Sequence, residues 1–287
     1  MTIASLIPIA IKASLFLMVF GLGLKASASD TLYLFRRPGK LVRAFLAMDV
    51  VVPLVAIALA VTLPLEPPVK IALVTLSLAP LPPTFSKKPL KAGGTVSYTV
   101  GLFVAFTIIA VGFIPLALYL LNRLTGIALQ MSPAAIWTLV LWSLLVPLVA
   151  GVFIHQIAPA VAGRAAEPVA NVGSIVLLIA VIPILIRVWP VMLSLIGNGH
   201  VVAMIVMAAL ATATGHFLGG PDPAERATLA FSSAARHPAI AIAIANANFP
   251  DQKLAPAAVL LYLVVSGIVG VPYLKWVGRQ RASVAVA

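Results

Sequence analysis

The 287-residue chain contains no cysteine. That excludes disulfides, thiolate metal sites and cysteine nucleophiles together. Acids are scarce too, seven Asp and Glu in all, and charged residues make up only 9%. Soluble domains carry about 25% charged residues, so this is not the composition of a soluble protein. The four histidines are scattered, which leaves metal chemistry little support. No nucleophile, base and acid form a catalytic set, and no phosphate loop is present. Those absences argue against an enzyme and against direct ATP coupling. The alternation of a membrane β-barrel is missing as well, because the apolar runs are continuous.

What is present is apolar. Hydrophobic residues make up 62% of the chain, and the mean hydropathy is +1.14. A helical membrane span needs roughly 20 apolar residues. Nine such segments can be read, at about 4–24, 41–65, 67–91, 94–121, 132–156, 166–190, 198–219, 224–249 and 254–276. They leave only short loops, so residues 1–287 form a single transmembrane domain. The first segment lacks a basic leader and ends in Lys25, which reads as a retained span rather than a cleaved signal.

The net charge of +12 belongs mostly to loops, where it sets orientation and implies no nucleic-acid partner. Lys25, Arg36, Arg37, Lys40, Arg43, Lys91, Arg164, Arg226, Lys275, Arg279 and Arg281 place eleven basic residues on one face. The other face has four, Lys70, Arg123, Arg187 and Lys253. The positive-inside rule then puts the N-terminus outside and the C-terminus in the cytoplasm. Short loops and compact length suggest a bacterial inner membrane. Lys12, Lys87, Lys88 and Arg236 remain inside spans. Lys12 is read as snorkelling to the surface.

Two segments do not read as ordinary helices. Pro80, Pro82, Pro83 and Pro89 fall within ten residues of the third, and proline removes a backbone donor and clashes with the preceding turn. The eighth is interrupted by Arg236, His237 and Pro238. Broken backbone at membrane depth survives only where protein or a watery cavity satisfies it. Two interrupted spans, five apart in order, point to a transporter built from inverted repeats. The repeats are read as about 1–121 and 132–280, with four and five spans.

The run Phe20-Gly21-Leu22-Gly23-Leu24-Lys25, the run Phe35-Arg36-Arg37-Pro38-Gly39-Lys40, Pro53 midway through the second span and the two breaks resemble the bile acid:sodium symporter family. Pro147, Gly151 and His155 fit the span between. The resemblance implies an all-α fold of inverted repeats, in which a panel domain faces a core domain whose two broken helices cross at the midplane. Shorter family members have nine spans. It also implies organic anion transport. The family's sodium ligands map poorly onto this chain. The polar position before the span-two proline falls at Met48, with Asp49 beside it, and the Asn of the first break at Lys87. The acidic ligand falls at Ser232 or Phe231, the Gln at Arg236, and no acid occurs from 226 to 250. A unit charge 4 Å away costs a bound cation about 4 kcal/mol even at an effective dielectric of 20. Family-type sodium sites are therefore not expected.

Arg236 is the leading candidate for ligand binding, because guanidinium offers a planar fork to a carboxylate. Lys87 and Arg236 also suit the unpaired carbonyls of half-helix ends, in place of sodium. Asp49 is the one acid deep in a span and reads as a counter-ion or a proton carrier. His237 reads as a proton-coupling group or a hydrogen-bonding residue at the crossing. Ser86, Thr84 and Ser232 supply hydroxyls near the breaks. His155 and His216 read as structural and His200 as an exposed loop residue. The expectation is a secondary transporter of a small organic anion, independent of sodium and driven by protons, exchange or the substrate gradient, with no cofactor or metal. The alternatives are sodium symport with rebuilt ligands and a non-transporting membrane sensor or scaffold.

Overall fold

A computed structural model describes residues 3–86, 89–90, 93–126, 129 and 131–286. All regular structure among them is helical. The elements are α1 (Ile3–Leu24), α2 (Ala28–Thr31), α3 (Pro38–Phe45), a π-helical stretch Leu46–Val51, α4 (Val52–Thr62), α5 (Pro67–Leu78) and a 3-10 turn Pro83–Ser86. There follow α6 (Val96–Thr125), α7 (Pro133–Val140), a second π stretch Leu141–Leu145, α8 (Val146–Ile157) and α9 (Pro159–Ser194). The last are α10 (His200–Leu218), α11 (Pro223–Ala234), α12 (Pro238–Asn248) and α13 (Ala255–Val286).

Among the described residues seven helices are long and apolar enough to cross a membrane, with α3–α4 and α7–α8 each counting as one continuous rod. The other two apolar segments are the broken ones. α5 and α11 have 12 residues each and α12 has 11, so each is about 18 Å long or less, roughly half a bilayer core. Proline sets the ends. Ala79 is extended (φ −74°, ψ 142°) because Pro80 follows it, and His237 is extended (φ −77°, ψ 106°) because Pro238 does. Pro238 then occupies the first turn of α12, where its missing N–H costs nothing. Away from the breaks, Thr95, Ser132 and Asp222 cap α6, α7 and α11 with their side chains.

The helices form two groups. α1, α8 and α9 pack on one another. α4, α5, α10, α12 and α13 share a second core that includes Leu73, Leu76, Met204, Met207, Ile244 and Tyr262. α6 contributes to both sides, with Phe103 and Phe106 buried alongside Leu22 and Leu148. In the first group glycines bring backbones together. A Cβ on Gly151 would collide with the Phe20 carbonyl oxygen, and one on Gly23 with the Leu148 carbonyl oxygen. Small residues at helix contacts are how membrane helices associate without a hydrophobic driving force between them. Large apolar side chains such as Ile175, Leu178, Ile179 and Ile186 point outward from α9. That is a lipid-facing surface, and the chain is an integral membrane protein.

Between α1 and α3, Asp30 ties the connecting turn to α6. Its carboxylate accepts from the Ser27 N–H (2.7 Å) and from Ser97 Oγ (2.5 Å). Partial burial pushes the carboxyl up, but the hydrogen bonds from Ser97 and Ser27 outweigh it and hold the group below its ordinary 3.8. Its ionised form therefore contributes stability that is full above about pH 4 and lost as pH falls through the folded value.

Two measurements follow from this packing. Gly151→Val should destabilise the detergent-purified protein by about 1–3 kcal/mol through overpacking. Gly163→Val, where a Cβ meets nothing within 4 Å, should leave the melting temperature unchanged. Ser97→Ala removes a principal donor to Asp30, so the fall in melting temperature on acidification from about pH 5 to pH 3 should become shallower.

Candidate functional site at the helix breaks

Four elements meet at the two breaks, namely the C-terminus of α5, the C-terminus of α11, the N-terminus of α12 and the first π stretch. The backbone crosses directly, because the His237 N–H donates to the Pro80 carbonyl at 2.8 Å. Each break thus satisfies part of the other, as exposed peptide groups at membrane depth require.

Arg236 lies at the centre. It is 1% exposed and is the bulkiest of the fully buried side chains among the described residues. Nη1 donates to the Ala79 carbonyl at 3.2 Å and Nη2 to the Met48 carbonyl at 2.7 Å. Both acceptors are carbonyls that local structure leaves short of partners. Ala79 is the C-cap of α5, where helix carbonyls have no intrahelical donor. Met48 lies in the π stretch Leu46–Val51. The i to i+5 offset of a π turn directs its carbonyl at residue 53, and Pro53 has no N–H. The guanidinium supplies both missing donors.

Asp49, beside Met48, is the acid near this cation. Its Oδ1 is 4.0 Å from Arg236 Nη1, the outer limit of an ion pair, and both side chains are buried. Arg236 Nε has no hydrogen-bond partner among the described residues, and neither ring nitrogen of the buried His237 has one. Tyr262 Oη makes a long contact (3.4 Å) with the Ala234 carbonyl at the end of α11.

Of the residues singled out in the sequence, Arg236, Asp49 and His237 come together. Thr84 joins Arg236 on the wall of a shared cavity. Ser86 closes the 3-10 turn Pro83–Ser86, and Lys87 lies outside the described residues, as does Lys88. Ser232 is buried, and its hydroxyl donates to the Thr228 carbonyl of its own helix at 2.7 Å. His155 and His216 bond the Leu24 carbonyl and Tyr273 Oη, each at 2.8 Å. His200 is a correction. It is not an exposed loop residue but 1% exposed at the start of α10. Its Nε2 accepts from the Glu66 N–H, and its Nδ1 contacts the Leu195 carbonyl. It ties the start of α10 to the start of α5. Sequence reasoning also missed the Met48 carbonyl. The available signal was Pro53 five residues later, which becomes informative only once the π turn is known.

The sequence profile of the sodium bile acid symporter family matches residues 13–189. The matched stretch contains the first break and stops before the second. A comparison with curated proteins finds no match.

Removing one member of a buried, hydrogen-bonded charge pair typically costs about 3–5 kcal/mol. Arg236→Met also strands two carbonyls, so it should cost at least that much in thermal unfolding, and Asp49→Asn should cost less. Because the side chains are coupled, the double variant should lose less than the sum of the two single losses.

Proposed function

The chain belongs to the sodium bile acid symporter family, and from that membership we propose that it moves a small organic anion by alternating access, without sodium at the family's usual sites. The family is one of membrane transporters that couple organic anions to sodium. One contact supports the departure. The guanidinium of Arg236 already occupies the Ala79 and Met48 carbonyls, which are the kind of oxygen a sodium ion at the crossing needs. A tethered cation satisfies those oxygens permanently and repels a second cation.

In this reading α1, α8 and α9 form the panel and the remaining long helices the core. The two broken segments complete nine crossings, arranged as repeats of four and five. The face rich in Lys and Arg lies in the cytoplasm, of a bacterial inner membrane, with the N-terminus outside. Asp49 is the counter-ion that offsets part of the Arg236 charge. His237 is placed at the crossing, where a proton can be taken up or released during the cycle. Charged groups inside a membrane domain are costly and mark functional sites by default.

Sodium symport with rebuilt ligands is the second reading. It draws on the family's description and on the buried hydroxyls of Thr99, Thr107 and Ser233, which have no hydrogen-bond partner among the described residues.

Thermal stability of the purified protein in sodium, potassium and choline chloride at matched ionic strength separates the two. A cation bound only by the folded state raises stability with its concentration. The expected result is the same melting temperature in all three salts. A rise specific to sodium would establish the second reading. In proteoliposomes, flux of an organic anion should be independent of sodium and lost in Arg236→Ala. Wild-type protein that carries no anion tested would be a sensor or scaffold instead.

A further inference from the structure

The connection from α1 to α3 carries charge that the rest of the fold does not neutralise. Arg36 and Arg37 are exposed and share the wall of a polar hollow of about 450 Å3 with Ser29, Asp30, Tyr33 and Ser97. Neither has an ion-pair partner among the described residues. The Arg37 guanidinium rests on the Tyr33 ring, 3.9 Å from its centre. Asp30 is the one acid on the wall, and its carboxylate already accepts from the Ser27 N–H, Ser27 Oγ and Ser97 Oγ. Two guanidiniums against one committed carboxylate leave the hollow net positive. Lys40 is matched by Glu225, but Arg43, exposed one turn further along α3, has no ion-pair partner among the described residues. Depth follows from the rod of α3 and α4. From Pro38 to Asp49 at the crossing is about 16 Å at 1.5 Å per residue, and half a bilayer core is about 15 Å. With the crossing at mid-membrane, Arg36 and Arg37 stand at the level of lipid headgroups. Leu32, Phe35 and Val42 are exposed around them.

We infer that this hollow docks an anionic glycerophospholipid of the adjoining leaflet, with the lipid phosphate on Arg36 and Arg37 and the acyl chains along Leu32, Phe35 and Val42. Guanidinium presents paired N–H donors that match phosphate oxygens. Basic side chains next to a membrane span are drawn to anionic lipid. A free phosphate shares the charge but has nothing to lay against the exposed apolar side chains. A zwitterionic lipid brings no net charge to offset two guanidiniums, and the natural partner for its ammonium, Asp30, is already tied to three donors. The hollow also matters for the fold. Its connection leads from the group of α1, α8 and α9 to the other helices, and Ser97 anchors it to the start of α6. A lipid held there restrains the link between the two groups. This reading does not depend on what the protein carries.

Arg36→Gln/Arg37→Gln removes both charges from exposed positions. Melting temperatures of the purified full chain are measured in a neutral detergent with dioleoyl phosphatidylglycerol, phosphatidylethanolamine or phosphatidylcholine at equal mole fraction. Phosphatidylglycerol should raise the wild-type value with its concentration, as a ligand of the folded state does. The two zwitterionic lipids should not. The rise should shrink as potassium chloride goes from about 0.05 to about 0.5 M, because exposed charges are screened. The double variant should keep the lipid-free melting temperature and need about tenfold more phosphatidylglycerol, or greater, for the same rise. A charge-matched control, Arg164→Gln/Arg279→Gln, removes two other exposed cations and should respond as wild type does. Glycerol 3-phosphate at the same concentration should give no rise. An undiminished rise in the Arg36 and Arg37 variant, or an equal loss in the control, overturns the site. An equal rise with phosphatidylethanolamine overturns the anionic class, and an equal rise with glycerol 3-phosphate replaces the lipid by a soluble phosphate. No rise with phosphatidylglycerol in wild type overturns the proposal outright. If the double variant does not fold, Arg36→Gln decides by the same comparison.

Discussion

Everything at the centre of this protein is arranged around one buried guanidinium. Two helices that stop halfway through a membrane domain leave peptide groups where no water satisfies them. Proline produces that problem twice, at the end of α5 and at the π turn before Pro53. Arg236 answers both with its two Nη groups, while the His237 N–H closes the crossing onto Pro80. Asp49 keeps the cation from being an isolated buried charge. Charge, hydrogen bonding and backbone topology are therefore a single constraint here, and changing one member alters the other two.

The functional reading turns on the difference between a tethered cation and a diffusing one. A sodium ion that fills carbonyls at a helix crossing can leave, and its departure couples transport to a gradient. A guanidinium on the backbone cannot leave. It stabilises the crossing in every state and confers no coupling by itself. The proposed transporter keeps the family's architecture and replaces its ion chemistry.

Several of these features were legible before any coordinates. The breaks at Pro80–Pro83 and at Pro238 were readable because proline acts on its own backbone and needs no tertiary partner. The placing of Arg236, His237 and Asp49 within apolar segments was equally plain. Other features were not. His200 reads as a loop residue, since its neighbours Gly197, Asn198 and Gly199 are turn formers. Its burial depends on α5 lying beside it. Ser232 donates its hydroxyl back to the Thr228 carbonyl of α11, a choice of rotamer that spacing does not encode.

The sequence by itself determined that the chain lies in a membrane, that two of its segments are interrupted, and that charged residues stand at the interruptions. These follow from composition and from local backbone chemistry. Tertiary structure decided which oxygens Arg236 serves, that Asp49 rather than another acid stands near it, and that a cavity opens between α10, α11 and α13. Those facts join residues nearly 190 positions apart, such as Met48 and Arg236. They depend on how nearly featureless apolar helices rotate against one another. Leu, Ile, Val and Ala pack acceptably in many rotations, so the choice among them is made only when close glycine contacts and buried polar groups are satisfied together.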